Sequence, residues 1–141
     1  MLSVTTEYAL RAVTCLAGQQ ACGKVSWSAD ELAKVTQIPR RYLHRVMQRL
    51  VAAGIVASRC GSHGGYLPKR EAAAITILDV VNAVEPLTRI CKCPLNLDSH
   101  TSLCPLHAEL DRVYAASEDA FRRITIHDLL NSTGPIVPLK P

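Results

Sequence analysis

The sequence predicts a mainly α-helical chain with a small β-hairpin wing: a winged helix-turn-helix followed by a long C-terminal dimerisation helix. Three observations predict it. A capping box is followed within a few residues by a cationic amphipathic helix; two short apolar strands flank a glycine-rich turn; and a late stretch carries apolar residues in alternating steps of three and four.

Ser3 or Thr5 can cap a first helix in which Ala9, Ala12, Val13 and Leu16 share one buried face, and the run from Gly18 to Gly23 is expected to end it. Ser28 and Glu31 match a capping box, where hydroxyl and carboxylate satisfy amides that a helix start leaves open, ahead of Leu32, Ala33 and Val35. After a break at Thr36 to Ile38, Pro39 suits the first turn of a third helix, where its missing N–H is no loss. Leu43, Val46, Met47 and Leu50 form the apolar stripe of that helix, and Gly54 can close it.

Ile55 to Arg59 and Tyr66 to Leu67 read as two strands joined by Cys60-Gly61-Ser62-His63-Gly64-Gly65, a turn able to adopt positive φ. Thr76 can cap a fourth helix with Ile77, Val80, Val81 and Val84 on one face and Pro86 beyond its end. Arg89 to Cys104 reads as a loop. Leu103, Leu106, Leu110, Val113, Ser117, Ala120 and Ile124 then trace the seam of a helix laid along another, either within the chain or, as we favour, on a second copy. Glu118 with Arg122 and Asp119 with Arg123 fall at the i, i+4 spacing of surface ion pairs. The organisation expected is thus a winged helix-turn-helix over 1–86, a cysteine-containing sensor loop over 87–104, a dimerisation helix region over 105–131 and a flexible tail over 132–141.

The chain has 141 residues and a formal net charge of +4, and its distribution says more than its size. No acidic residue lies between Glu31 and Glu71, whereas eight of the 16 Lys and Arg do: Lys34, Arg40, Arg41, Arg45, Arg49, Arg59, Lys69 and Arg70. That block has the sign and density of a phosphate-binding face. No apolar run is long enough to span a bilayer, and Glu7 and Arg11 interrupt any secretory signal, which predicts a cytoplasmic chain. No nucleophile, base and orienting group recur at a recognisable spacing, so an enzyme is the poorest fit.

The face of the third helix opposite its stripe carries Arg40, Arg41, His44, Arg45, Gln48 and Arg49. Such a helix fits the major groove of double-stranded DNA, where Arg can pair bidentately with guanine and Gln with adenine. The candidate DNA contacts are Ser28, Arg40, Arg41, Tyr42, His44, Arg45 and Gln48, with Arg59 and His63 in the wing and Gly64 and Gly65 letting the backbone approach.

Cys91-Lys92-Cys93-Pro94 is followed by Cys104, with ten residues between Cys93 and Cys104, and His107 stands three further on. Pro94 favours an extended Cys93, in which Cys91 and Cys93 would point to one side, and Cys104 and His107 would share a helix face. Three thiols and an imidazole suit an iron–sulfur cluster or tetrahedral zinc equally on ligand type. Cys15, Cys22 and Cys60 are scattered, and Cys15 is expected to be structural.

The start Leu2-Ser3-Val4-Thr5-Thr6-Glu7-Tyr8-Ala9-Leu10-Arg11-Ala12, the stretch Ile38-Pro39-Arg40-Arg41-Tyr42-Leu43 and the wing Gly61 to Tyr66 resemble a bacterial winged-helix repressor family, that of the iron–sulfur cluster regulator IscR and the nitric-oxide-sensitive repressor NsrR (the Rrf-two family). The resemblance runs in the same order over residues 1–130. It implies a homodimeric transcription regulator, a repressor by analogy, that binds a near-palindromic operator and senses iron, redox state or nitric oxide through a 2Fe–2S or 4Fe–4S cluster held in the cysteine loop. It favours iron–sulfur over zinc. The spacing here, one residue and then ten, departs from the more even spacing of the sensing members, and leaves open whether Cys91, Cys93 or both join Cys104. In some relatives an acidic residue on the partner's first helix completes the set; Glu7 matches it and competes with His107, while its other reading is a surface partner for Arg11. A rival account without metal is a thiol switch in which Cys91 or Cys93 pairs with Cys104.

Overall fold

A computed structural model describes residues 2–136 and 138. In order, the elements are α1 (Val4–Gln20), α2 (Ala29–Thr36), α3 (Arg40–Ala52), β1 (Val56–Arg59), β2 (Gly65–Pro68), a single 3-10 turn (Ala72–Ala74), α4 (Ile77–Val84), α5 (Pro105–Arg123) and α6 (Ile126–Leu130). The architecture is mainly helical, with β1 and β2 paired antiparallel from Val56 opposite Pro68 to Arg59 opposite Gly65.

α1 is the central helix, packed against α2, α3, α4, α6 and β2. Ser3 caps it by accepting from the Thr6 amide, and Ala9, Ala12, Val13 and Leu16 are all buried, as their spacing predicts. The helix ends at Gln20, inside the run from Gly18 to Gly23 where its end is expected. Gly18 serves packing: a Cβ there would lie 3.1 Å from Leu130 Cδ2 on α6, so its absence lets the two helices close up. Both halves of the Ser28–Glu31 capping box are present at α2. Pro39 stands one position earlier than expected, at the N-cap of α3, where its carbonyl accepts from the Tyr42 and Leu43 amides. Leu43, Val46, Met47 and Leu50 are almost wholly buried. Gly54 takes the positive φ, 72°, that a chain leaving a helix needs just past its end.

The hairpin has a third contributor that its two-strand pattern does not reveal. Trp27 and Tyr66 exchange backbone hydrogen bonds of 2.8 and 2.7 Å, which ties the wing to the start of α2. Gly65, at φ +140°, makes this possible, since a Cβ there would lie 2.2 Å from the Trp27 carbonyl oxygen. At α4 the Thr76–Asp79 capping box forms, but Leu78 is buried with Val80, Val81 and Val84 while Ile77 is only half-buried, because this short helix is covered on more than one side.

The region over 105–131 is not one helix. α5 ends at Arg123, and Thr125 with Asp128 forms a further capping box that starts α6, whose Ile126 is fully buried in the core. The return is locked by Ile77 donating to the Ile124 carbonyl at 2.9 Å and Ile126 donating to that of Ile75 at 2.8 Å. Along α5, Arg122 bonds both Glu118 and Asp119; the expected Asp119–Arg123 pair is replaced by the i, i+3 pair with Arg122. None of the 19 residues of α5 is buried. Of the expected tail, residues 132–136 form no helix or strand, and Val137 and residues 139–141 lie outside the described residues. No helix among the described residues is long and apolar enough to cross a membrane.

Candidate functional site

The buried stripe of α3 fixes which side of the helix faces outward, and Arg40, Arg41, His44, Arg45 and Gln48 all lie exposed on that side. They are not equivalent. Arg40 is ion-paired to Asp30 of α2, just upstream of the acid-free block. The Arg41 guanidinium lies 4.7 Å from the centre of the Tyr42 ring, which in turn meets Tyr8 of α1 at 6.0 Å between centroids. The side chains of His44, Arg45 and Gln48 form no hydrogen bond or ion pair with other described residues, while their backbones belong to α3. Arg49 departs from the outward set: its Nη1 donates to the Val84 carbonyl at 2.6 Å and fastens α3 to α4.

The wing follows α3 in the chain, and β1 packs against that helix. Arg59 and His63 are exposed, and Ser26 Oγ donates to the His63 carbonyl at 3.2 Å, adding a second tie between the wing and the segment before α2. Ser28, Arg59, Gly64, Gly65 and Tyr66 line a groove of about 320 Å³ between wing and α2. Ser28 is engaged at the mouth of that groove by its own capping box. The Glu31 carboxyl is held down at about 2 by hydrogen bonds from Lys24 first and then from the Ser28 amide and hydroxyl. The Lys24 ammonium also sits 3.8 Å from the centre of the Trp27 ring.

The cysteine loop is built on α5. Arg89 makes a bidentate bond to Asp111, at 2.7 and 2.6 Å, and the Ile90 amide donates to the same carboxylate at 2.8 Å. Arg89, the closest partner, and then Ile90 hold the Asp111 carboxyl at about 2 against its ordinary 3.8. Sequence reasoning missed this clamp, because residues 22 apart with no helical register between them carry no pairing signal.

Beyond the clamp the structure separates the two neighbouring thiols. Cys93 is 5% exposed, whereas Cys91 is exposed, with its Sγ 3.8 Å from the Arg89 carbonyl. The chain bends at Lys92, so the alternation of an extended strand does not apply and the two side chains do not share an environment. Two successive turns follow, with the Asn96 amide donating to Cys93 and the His100 amide to Leu97. They return His100 to the loop's start, its Nδ1 3.2 Å from Cys93 Sγ. Cys104 caps α5, and as the helical spacing predicts, its Sγ lies 3.2 Å from His107 Nδ1.

Glu7 is ion-paired to Arg11 on the exposed side of α1. Among the described residues no three His, Cys, Asp or Glu side chains gather closely enough to hold a metal ion, so Glu7, Cys91, Cys93, Cys104 and His107 are not brought together within one chain. By donor chemistry the loop does fit an iron–sulfur or zinc centre, since thiols and imidazoles at hydrogen-bond distance can become ligands with little rearrangement of each pair. Cys15 is buried in the core, which pushes its thiol up, and Cys22 and Cys60 are exposed away from the loop.

Comparison with known proteins adds the following. The model of the Rrf2 family, described as iron-dependent transcriptional regulator, matches residues 2–132. A putative HTH-type transcriptional regulator of Aquifex aeolicus is 32% identical over 136 residues, covering 93% of this chain and 92% of its own. Among solved structures, IscR of T. potens superposes with a TM-score of 0.76 at 23% identity, over 95% of this chain and 88% of its own. CymR of B. subtilis, described as its global cysteine regulator, gives 0.76 at 26% identity over 95% and 98%.

Proposed function

The chain belongs to the Rrf2 family of transcriptional regulators, a DNA-binding family and not one of enzymes, and from that premise we propose that α3 reads the major groove of an operator under the control of the cysteine loop. The observation that carries the reading is the two-sidedness of α3. Leu43, Val46, Met47 and Leu50 pin one side into the core, and so commit Arg41, His44, Arg45 and Gln48 to solvent on the other. Arg40 and Tyr42 flank the base-reading positions, Arg59 and His63 approach backbone or minor groove from the wing, and Gly64, Gly65 and Ser28 border the groove that admits the phosphate strand.

Two copies engage two half-sites. The seam of α5 supports this: Leu106, Leu110, Val113 and Ile124 are 64%, 39%, 52% and 40% exposed, an apolar row that a second copy can cover. The operator is correspondingly near-palindromic.

Cys104, with Cys91, Cys93 or both and with either His107 or the partner's Glu7, would hold an iron–sulfur centre. When bound, such a centre supplies a group that reacts with oxidants and nitric oxide and whose loss frees the loop. The chain's own residues pass this on. Asp111 fixes the loop's start to α5 through Arg89 and Ile90, and Cys104 stands at the N-cap of α5 with His107 in its first turn, so the state of the loop is felt by the helix that pairs the two subunits.

A second reading, a thiol switch without metal, is favoured by the likeness to the cysteine regulator CymR. There, Cys91 or Cys93 and Cys104 would each give up a proton and an electron to a peroxide, forming one disulfide while the peroxide is reduced to two molecules of water or of water and alcohol. Iron and zinc analysis of anaerobically purified protein separates the readings.

The DNA reading is tested by fluorescence anisotropy on a duplex selected from a random library. Arg41→Ala with Arg45→Ala is expected to weaken binding at least tenfold and to flatten the salt dependence by about 0.9 in log–log slope for each phosphate no longer neutralised. Unchanged affinity and slope would exclude α3 as the reading helix.

A further inference from the structure

The two turns after Cys93 give the loop a symmetry that its cysteines alone do not have. Cys93 with His100 and Cys104 with His107 are two separate sulfur–nitrogen pairs, each at 3.2 Å through Nδ1. Cys91 belongs to neither; it is exposed, and its thiol faces the Arg89 carbonyl. Cys93 is the buried member of the Cys91–Cys93 couple, and the fold provides its neighbour by a backbone route, Asn96 to Cys93 and His100 to Leu97.

We propose that His100 is a metal ligand and Cys91 is not: the centre is held by two sulfurs and two nitrogens, Cys93–His100 on the loop and Cys104–His107 on α5. This rests on the reading of the loop as a metal centre and names its donor set.

Three features support it. Both imidazoles already point the same ring nitrogen at a thiol, so each pair is a two-donor unit before any metal arrives. The anchors are independent, one pair standing on the helix and the other on a loop clamped by Asp111, so metal binding has only to bring two preformed units together across the ten residues between Cys93 and Cys104. Two sulfurs and two nitrogens form a donor set that both a tetrahedral divalent ion and a mixed-ligand two-iron cluster accept. The wide gap between the second and third cysteines then has a use, since it is the length that carries His100.

The test uses the full chain, reconstituted anaerobically with ferrous iron and sulfide, with iron per chain measured and ligand nitrogens counted by pulsed EPR of the reduced protein. The expected result is two nitrogen couplings in the wild type, one in His100→Ala and one in His107→Ala, with Cys91→Ala keeping the iron content and spectrum of the wild type. A His100→Ala protein that still shows every nitrogen coupling of the wild type, or a Cys91→Ala protein that loses its iron, overturns the proposal. Circular dichroism of each variant guards against misfolding, and His100→Cys, which supplies a sulfur donor at the same place, is expected to match the wild type in iron content while showing one nitrogen coupling. If Cys104→Ala keeps a full complement of iron, the loop is not the metal centre and the underlying reading fails; if Cys104→Ala loses iron while His100→Ala is unaffected, only this donor set is wrong.

Discussion

At the scale of single residues, the molecule depends on a few positions where backbone or charge leaves no alternative. Gly65 is one, since φ +140° is strained for any side chain and a Cβ would run into the Trp27 carbonyl. Gly65→Ala is expected to cost about 1–3 kcal/mol of stability from the backbone conformation alone and to loosen the wing, whereas Gly134→Ala, with nothing within 4 Å of its Cβ, is expected to be neutral; urea denaturation of both variants checks this. Asp111 is another. Its carboxyl is depressed to about 2, so the clamp on Arg89 and Ile90 contributes stability that is complete above about pH 4 and is lost as pH falls toward 2. Amide exchange at Ile90 is expected to quicken relative to its intrinsic rate over that window, and Asp111→Asn to show the fast exchange at neutral pH. The helix-face arginines are legible in the sequence because each follows from a periodic stripe. Arg89–Asp111 and Cys93–His100 are not, since they depend on how an aperiodic loop turns.

At the scale of elements, capping chemistry is the most readable signal. Ser28 with Glu31, and Thr76, start helices where the sequence puts them, because a cap acts within four residues and needs no tertiary partner. Ser28→Ala is expected to cost about 1 kcal/mol by denaturant midpoint, and to weaken DNA binding further if the groove beside it admits a phosphate. Local cues mislead where packing overrides them. The long C-terminal helix breaks at Ile124, where the Thr125–Asp128 box starts a new helix and Ile126 enters the core. The unpaired face of α5 carries its own prediction. Leu110→Asp with Val113→Asp alters only exposed side chains of this chain, so the fold is expected to survive while the sedimentation coefficient falls to that of a monomer; if the wild type already sediments as a monomer, the pairing of two copies through α5 is wrong.

At the scale of the whole molecule, three parts are joined by few but definite links. Arg49 ties α3 to α4, the Ile75–Ile77 and Ile124–Ile126 hydrogen bonds tie α4 to the end of α5, and Asp111 ties the cysteine loop to the middle of α5. In the proposed dimer a change in the loop therefore has a contiguous route to the spacing of the two α3 helices, and a coupling of about 1–3 kcal/mol is the ordinary size of such an effect. The most direct test is the operator affinity of anaerobically purified wild type against Cys104→Ala, measured side by side at one salt concentration. The account predicts that both proteins bind the duplex, with dissociation constants that differ by about 5- to 150-fold. Equal affinities for the two proteins would contradict it.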